Sequence, residues 1–577
     1  MKKVFARMMG YLKPHIGEII PVLISLAICV GINLVSPLFM EYAIDVHVAN
    51  KNVKGLLTVA GIIVILGLIY AGFVRLRIYL MNRIANKVLL DIRQELYEHV
   101  QTLSFTFFDN RPTGKILSRI IGDVNSLKDV MANTITNLIP NFVTVFGVVF
   151  IMMAKDWRLA LGTLCSLPVM VISIWWIREK THTSWQDVRK KSSNLHAYVH
   201  EDIAGISVVQ SFNAENETKK TFRGLANEHR DSYILACKYS DLFGPAIDMS
   251  WAISSMVLYL VAVGLLGYTD ASIGLIAAFA TYANMFWRPI MGLSGYYNQM
   301  VTNMSAAERV FDLLDTEATI VDKEGAGELP AVEGRVEFEN VGFTYDEGTK
   351  DETKVLDNVS FKVEPGETIA LVGPTGAGKT TIVNLISRFY DIQKGKIKID
   401  GHDLTDVTIN SLRRQMGVMT QDNFIFHGTV RENILYGKPD ATEEEMIAAA
   451  KAVNAHDFIM KMEKGYDTEL KERGAGLSIG QRQLIAFART MISMPKILIL
   501  DEATSSIDTH TEMLVQKGIQ TLVSGRTSFV IAHRLSTIKN ASRIFVINGG
   551  GIQESGSHDE LMARRGAYYD LYMAQFA

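Results

Sequence analysis

The sequence predicts an α-helical six-span transmembrane domain with long cytoplasmic helix extensions, followed by an α/β domain. Three observations carry this expectation. Hydrophobic residues make up 48% of the 577 residues and the mean hydropathy is +0.15, both high for a chain dissolved in water alone. Six stretches, residues 19–40, 56–74, 131–154, 159–177, 249–269 and 271–292, are long and apolar enough to cross a bilayer as helices. Beyond residue 335 the pattern changes to short apolar runs alternating with helical ones, the mark of a layered α/β unit with a largely parallel sheet.

The N-terminus carries Lys2, Lys3, Arg7 and Lys13 ahead of the first apolar run. That run is too long for a signal peptide and lacks a small-residue cleavage site, so it reads as a retained span. The connections then alternate in kind. KDWR joins the third and fourth spans and TD the fifth and sixth, whereas residues 75–130 and 178–248 are long, polar and rich in Lys and Arg. By the positive-inside rule the long connections, both termini and the α/β domain face the cytoplasm of a multi-pass protein in the cell membrane. The segment RLRIYLMNRIANKVLLDIRQELYEHVQTL keeps apolar residues at three- and four-residue spacing straight out of the second span, so the membrane helices project into the cytosol. Asp248, just before the fifth span, reads as interfacial, and Arg288 stands open between a functional charge and a snorkelling one. Trp251, Met285, Phe286 and Trp287 read as packing rather than as a cavity lining.

The transmembrane domain is expected over residues 1–315 and the α/β domain over 335–577. The charged, glycine-containing segment 316–334 between them lacks periodicity and reads as a linker. In the second domain RVEFENVGF, VSFKV, TIALVG, KIKIDG, KILILD, TSFVIAH and RIFVIN are the strand-like runs. Cys29, Cys165 and Cys237 are odd in number, far apart and in or beside apolar segments, which argues against a disulfide framework or a zinc site. A net charge of -3 with no basic stripe argues against a nucleic-acid partner.

In LVGPTGAGKTTIV, Gly373, Pro374, Thr375, Gly376, Ala377, Gly378, Lys379, Thr380 and Thr381 follow an apolar strand and open a helical run. Such a glycine-rich turn converges backbone N–H groups on phosphate oxygens, with Lys379 as a point charge for the β- and γ-phosphates and the Thr380 hydroxyl for Mg²⁺. This makes the second domain a P-loop domain with a nucleotide polyphosphate and Mg²⁺ as its ligands. KILILDEATSSID places Asp501 and Glu502 at a strand end, where the first can hold the magnesium shell and the second can deprotonate an attacking water. ERGAGLSIGQRQ, residues 472–483, also has the glycines and hydroxyl of an anion-binding loop, yet it has no lysine.

These residues together resemble the nucleotide-binding domain of ATP-binding cassette (ABC) transporters, and the whole chain resembles a half-transporter of the exporter type. By that resemblance the second domain is a P-loop ATPase domain with ATP as its nucleotide. LSIGQ, residues 477–481, resembles that family's signature loop, ordinarily LSGGQ. The resemblance implies that Ser478, Gly480 and Gln481 cap ATP held by the partner chain's phosphate loop, which supplies the missing lysine. It further implies that Tyr345 stacks on adenine, that Gln421 senses magnesium and couples to the membrane part, and that His533 contacts the γ-phosphate. Ser506 and Asp508 match a loop communicating between sites. Residues 107–123 and 201–215 resemble the cytoplasmic segments that carry motion between cassette and membrane helices.

The implied function is ATP-driven export of hydrophobic or amphipathic compounds (drug, lipid or peptide) by alternating access, with an ATP-gated channel or regulator, or an exporter-like importer, as alternatives. The implied partners are membrane lipid and a second half-transporter. Ile479 stands where the family usually has glycine, and a β-branched residue there adds bulk and restricts the backbone. Combined with an intact Glu502, this favours a heterodimer over a homodimer.

Overall fold

The computed structural model describes residues 2–109, 111–264, 272–345, 354–420, 423–501, 509–532 and 538–576. The chain divides into two compact units. One comprises Met1–Gln101 and Thr113–Thr316, and the other Thr102–Pro112 and Glu317–Ala577.

The first unit is helical. Among the described residues five helical runs are long and apolar enough to cross a membrane: Lys3–Val48, Val53–Thr102, Thr113–Lys155, Trp157–Ala204 and Glu215–Gly264. The sixth expected span lies in the continuous helix Ile273–Leu314, whose Asn284 and Arg288 dilute its apolar stretch. The predicted extensions exist. Val53–Thr102 runs for 50 residues without a break, about 75 Å at 1.5 Å per residue. Leu167–Ala204 and Glu215–Ser240 pack side by side, tied by Trp185 Nε1 donating to Ser240 Oγ (2.8 Å), Ser232 Oγ donating to Asp187 (2.6 Å) and the Lys191–Glu228 pair (2.6 Å).

The short KDWR connection works as a cap. Asp156 ends one helix and accepts from the N–H groups of Arg158 and Leu159, starting the next at Trp157. The fourth span is not one rod, however. Trp157–Leu164 stops at Cys165 and a new helix starts at Leu167, because Pro168 fits the first turn of a helix and not its interior. The apolar core of this unit includes Met152, Leu159, Leu258, Phe279, Tyr282, Phe286 and Trp287, so the last two are packing residues. Tyr282 Oη donates to Leu34 O (2.7 Å), satisfying its buried hydroxyl. Arg288 and Asp248 are exposed on the surface of this unit.

All seven strand-like runs form strands, but they divide between two sheets. β1 (Val336–Phe343), β2 (Leu356–Val363), β4 (Lys394–Ile399) and the short β5 (His402–Asp403) make an antiparallel sheet in the order β2-β1-β4-β5. β3 (Thr368–Val372), β6 (Met416–Met419), β9 (Ile497–Asp501), β10 (Thr527–Ile531), β11 (Arg543–Asn548) and β12 (Gly551–Gly556) make the second, in the order β12-β11-β3-β10-β9-β6. Only β12 is antiparallel there. A two-residue pair, β7 (Gly428–Thr429) with β8 (Glu469–Leu470), completes the set. The parallel strands are nearly unbroken apolar runs because both faces are covered, one by helices and the other by the antiparallel sheet together with the helix Lys379–Ile386. Those of the antiparallel sheet alternate, as β1 does with Val336, Phe338, Val341 and Phe343 buried.

Two segments from outside the strand region belong to this unit. Segment 316–334 carries no helix or named strand, yet it is not loose. Leu329 and Val332 are buried in the core, and the N–H groups of Glu333, Gly334 and Arg335 all donate to the Asp400 carboxylate. Thr102–Pro112 lies on the same unit. Phe105 meets Phe389 with ring centroids 4.4 Å apart, Tyr390 Oη donates to Asp109, and Thr319 Oγ1 donates to Ser104 Oγ (2.7 Å). Burial, and then the hydrogen bond to Asp109, push the Tyr390 hydroxyl's pKa upward, so it stays a donor.

Candidate functional site

The strand order β3-β10-β9-β6 aligns four adjacent parallel strands, each about 4.8 Å from the next. Parallel strands end on the same edge, and ligands in such sheets bind outside the carboxyl ends. The chain leaves β3 into the glycine-rich loop, β10 toward His533, β9 at Asp501 into Glu502, and β6 toward Gln421. Gln421, Glu502, Ser506, Asp508 and His533 themselves lie outside the described residues. Their described neighbours Met419, Asp501 and Ile531 are in register across the sheet, Ile531 paired with Asp501 and Met419 with Leu500.

The loop after β3 has the backbone its glycines require. Gly373, Gly376 and Gly378 have φ of 148°, 81° and 103°, and a Cβ on Gly373 would stand 2.2 Å from Ile547 O. Gly373→Ala is therefore expected to distort this loop, at a cost of about 1–3 kcal/mol. The measurements are a lower melting temperature and loss of nucleotide binding. Gly378 caps the helix Lys379–Ile386, whose first N–H groups face the loop. Lys379 Nζ donates to Gly373 O (2.8 Å) and Pro374 O (2.9 Å). Burial pulls its pKa below the ordinary lysine value, while the Asp501 carboxylate pulls it up, so this half-buried ammonium suits a polyanion.

The neighbouring side chains fit the predicted ligands. Pro374, Thr375 and Gly376 are exposed, Ala377 is buried beneath them, and the Thr380 hydroxyl stands exposed in the first helical turn. Thr381 is buried and its Oγ1 is 3.1 Å from Tyr345 Oη. Tyr345 is 41% exposed, with its ring set edge-on to Phe343 and Tyr390. One flat aromatic face is thereby held beside the phosphate loop, as adenine stacking needs.

ERGAGLSIGQRQ sits on a different element. Ser478 is the N-cap of the helix Ile479–Ile492, its Oγ accepting from Gln481 N (3.2 Å) while Gln481 Oε1 accepts from Ser478 N (2.9 Å). This is a capping box, so the signature serine and glutamine hold each other. Gly480 is buried. Ile479 is the first helical residue, 41% exposed, and its φ is not positive, so this position makes no conformational demand for glycine. The expected backbone restriction therefore does not arise: the N–H groups of the first turn keep their direction, and only the side-chain bulk is added.

One polar residue went unremarked in the sequence. Gln483 is 5% exposed, its Oε1 accepts no hydrogen bond among the described residues, and it lines a cavity with Thr420, Asn423, Leu500 and Asp501. An unpaired buried acceptor beside the predicted magnesium carboxylate is a fitting partner for a hydrated cation. Its signal was legible: Gly480, Gln483, Leu484 and Phe487 share one buried helix face, and Gln483 is the polar member.

Comparison with known proteins agrees with this geometry. The chain matches the family models described as the ABC transporter transmembrane region, over residues 19–290, and ABC transporter, over residues 356–505. It is 41% identical over 575 residues to the uncharacterised ABC transporter ATP-binding protein YknV of Bacillus subtilis, covering 99% of this chain and 94% of that one. It is 36% identical to an ATP-dependent lipid A-core flippase of Syntrophus aciditrophicus, covering 99% of this chain and 94% of the relative. It is also 36% identical to a putative multidrug export ATP-binding/permease protein of Staphylococcus aureus, covering 99% of both. Among solved structures, a bacterial Atm1-family ABC exporter with ATP bound superposes with a TM-score of 0.79 at 29% identity, covering 98% of this chain and 99% of that one. The chain thus belongs to the ATP-binding cassette transporters and is an ABC exporter, a multi-pass membrane protein whose nucleotide-binding domain hydrolyses ATP to drive export.

Proposed function

We propose that this chain is one half of a dimeric exporter of amphipathic compounds, with residues 1–315 as the membrane domain, 316–334 as the linker and 335–577 as a cytoplasmic ATPase domain. The observation that carries the reading is the division of anion-binding parts between two elements. The loop after β3 has the lysine, whereas the helix start at Ser478 has hydroxyl and N–H groups and no lysine. Either is incomplete by itself, and two chains facing each other complete two sites.

In this reading Tyr345 stacks on adenine, residues 373–381 cradle the phosphates, and Ser478, Gly480 and Gln481 cap the γ-phosphate held by the partner. Glu502 deprotonates the attacking water, while His533 and Gln421 contact the γ-phosphate and the metal shell. Thr380, Asp501 and Gln421 would hold Mg²⁺, which would supply positive charge against the charge developing on the phosphate oxygens. Binding closes the cassettes, and loss of the γ-phosphate contacts favours their separation. Thr102–Pro112, seated against Phe389 and Tyr390, transmits the change to the helices it connects. The names of the flippase and multidrug relatives support a lipid-like or drug-like amphiphile as cargo.

Ile479 together with Glu502 favours a different half-transporter as the partner. The test is to express this chain alone, reconstitute it in liposomes, and measure phosphate release and ATP-dependent uptake into inside-out vesicles. A monomer, or a dimer without turnover that gains activity with a second half-transporter, is expected. A stable dimer hydrolysing ATP on its own overturns the heterodimer, and full turnover by an isolated monomer overturns the shared site.

A further inference from the structure

We propose that Tyr390 and Asp109 are positioning residues for recognition of the nucleotide base. Asp109, from the strip that follows the long helix Val53–Thr102, anchors the Tyr390 ring, and that ring steadies Tyr345 where it stacks on the base. The inference rests on the reading of Tyr345 as the stacking residue and says what holds it in place. Every residue it invokes belongs to the second unit.

A stacking ring contributes most when it is already ordered before the base arrives, because side-chain freedom lost on binding is subtracted from affinity. Tyr345 lies beyond the end of β1, so side chains rather than the sheet place its ring. Its Oη is 3.1 Å from Thr381 Oγ1, and Phe343 meets it edge-on with centroids 4.8 Å apart. Tyr390 meets it at 5.1 Å with the two planes at 89°. Such edge-to-face pairs depend on geometry, so the third contact is only as firm as Tyr390 itself.

Tyr390 lies past the helix Lys379–Ile386, outside regular structure. Its ring is buried against Phe343 at 5.8 Å, and its hydroxyl, kept protonated by burial, donates to the Asp109 carboxylate. Asp109 is exposed, yet the strip that presents it is seated independently. Phe105 packs on Phe389 at 4.4 Å, and Thr319 Oγ1 donates to Ser104 Oγ (2.7 Å). The Arg413 guanidinium lies 4.9 Å from the centre of the Phe389 ring and donates to Arg388 O (2.8 Å). The carboxylate is therefore delivered by a fixed strip. This path reaches the base side of the site through Tyr345, whereas the lysine of the phosphate loop, bonded to Gly373 O and Pro374 O, takes no part in it. The arrangement separates a ligand with a base from one with phosphates alone.

The test titrates the full chain in lipid nanodiscs by calorimetry, without magnesium so that nothing turns over. One ligand is ATP and the other is inorganic tripolyphosphate. Asp109→Ala and Tyr390→Phe should each weaken ATP by about threefold to tenfold, the scale of one aromatic contact, and leave tripolyphosphate unchanged. Asp109→Asn, whose amide oxygen still accepts from the Tyr390 hydroxyl, should keep most of the parent's affinity. Equal loss for both ligands, or loss for neither, overturns the proposal, because a contact that only holds the fold together does not distinguish them. Tyr390→Phe retains the buried ring and decides alone if Asp109→Ala fails to assemble. Tyr345→Ala separates the two readings. If it weakens ATP selectively while the other variants do not, stacking stands and this inference falls; if it has no selective effect, both fall.

Discussion

Replacing Glu502 by Gln in every competent site is expected to leave ATP binding intact and to cut turnover by about 10²-fold or more, the scale of a lost general base. Glu502 follows Asp501, the last residue of β9, and that strand lies one place from β10 and two from β3 in the sheet. The chain therefore leaves β9 at Asp501 on the edge where the phosphate loop begins, and Glu502 is the next residue in sequence. An amide of the same size keeps the side-chain volume and loses the basicity. The measurements are phosphate release, and retention of nucleotide on the assembly after gel filtration. Trapped ATP with little phosphate is the predicted pattern, and normal turnover would remove Glu502 as the base.

Lys379→Ala should act one step earlier, on binding itself. Its Nζ is half-buried, hydrogen-bonded to two loop carbonyls and held below its ordinary pKa by burial. Binding of phosphate replaces carbonyl dipoles with full negative charge, so the lysine gains far more from nucleotide than it loses. Its removal should weaken binding of both ATP and ADP by about tenfold to a hundredfold, the range for losing one or two charge-assisted bonds. Lys379→Arg should not rescue, because a planar fork does not reproduce a compact ammonium inside a tight loop. Equilibrium dialysis with labelled nucleotide reads both variants, and an unchanged dissociation constant would contradict the assignment.

The contrast between these residues and others shows what a sequence discloses. The phosphate loop is legible because its chemistry lies in consecutive residues, and all seven strand runs are legible because apolar periodicity is local. Partnership is not local. Val336 pairs with both Val363 and Ile399: alternation sets β1, β2 and β4 apart from the unbroken apolar runs of the parallel sheet, but it does not say which strand lies beside which. The break at Cys165 was written in Pro168, yet a span-length window averages over it. At Ile479 the family pattern suggested a backbone penalty, and position in the helix decides otherwise: a first-turn residue has ordinary dihedrals whatever its usual identity. Gln483 shows in the sequence as the polar member of an apolar helix face, but that its amide oxygen is buried with no donor among the described residues is seen only in the structure.

Thr102–Pro112 bears on any attempt to cut this protein into pieces. A fragment starting at residue 317 looks complete by sequence, yet it lacks the upstream strip that covers Phe389 and bonds Tyr390. Tyr390, 9% exposed in the intact chain, and the ring of Phe389 would then meet water as a sticky ledge. Swapping cassettes between relatives at the linker would mate a foreign strip to this ledge, so chimaeras should exchange residues 102–112 along with the cassette.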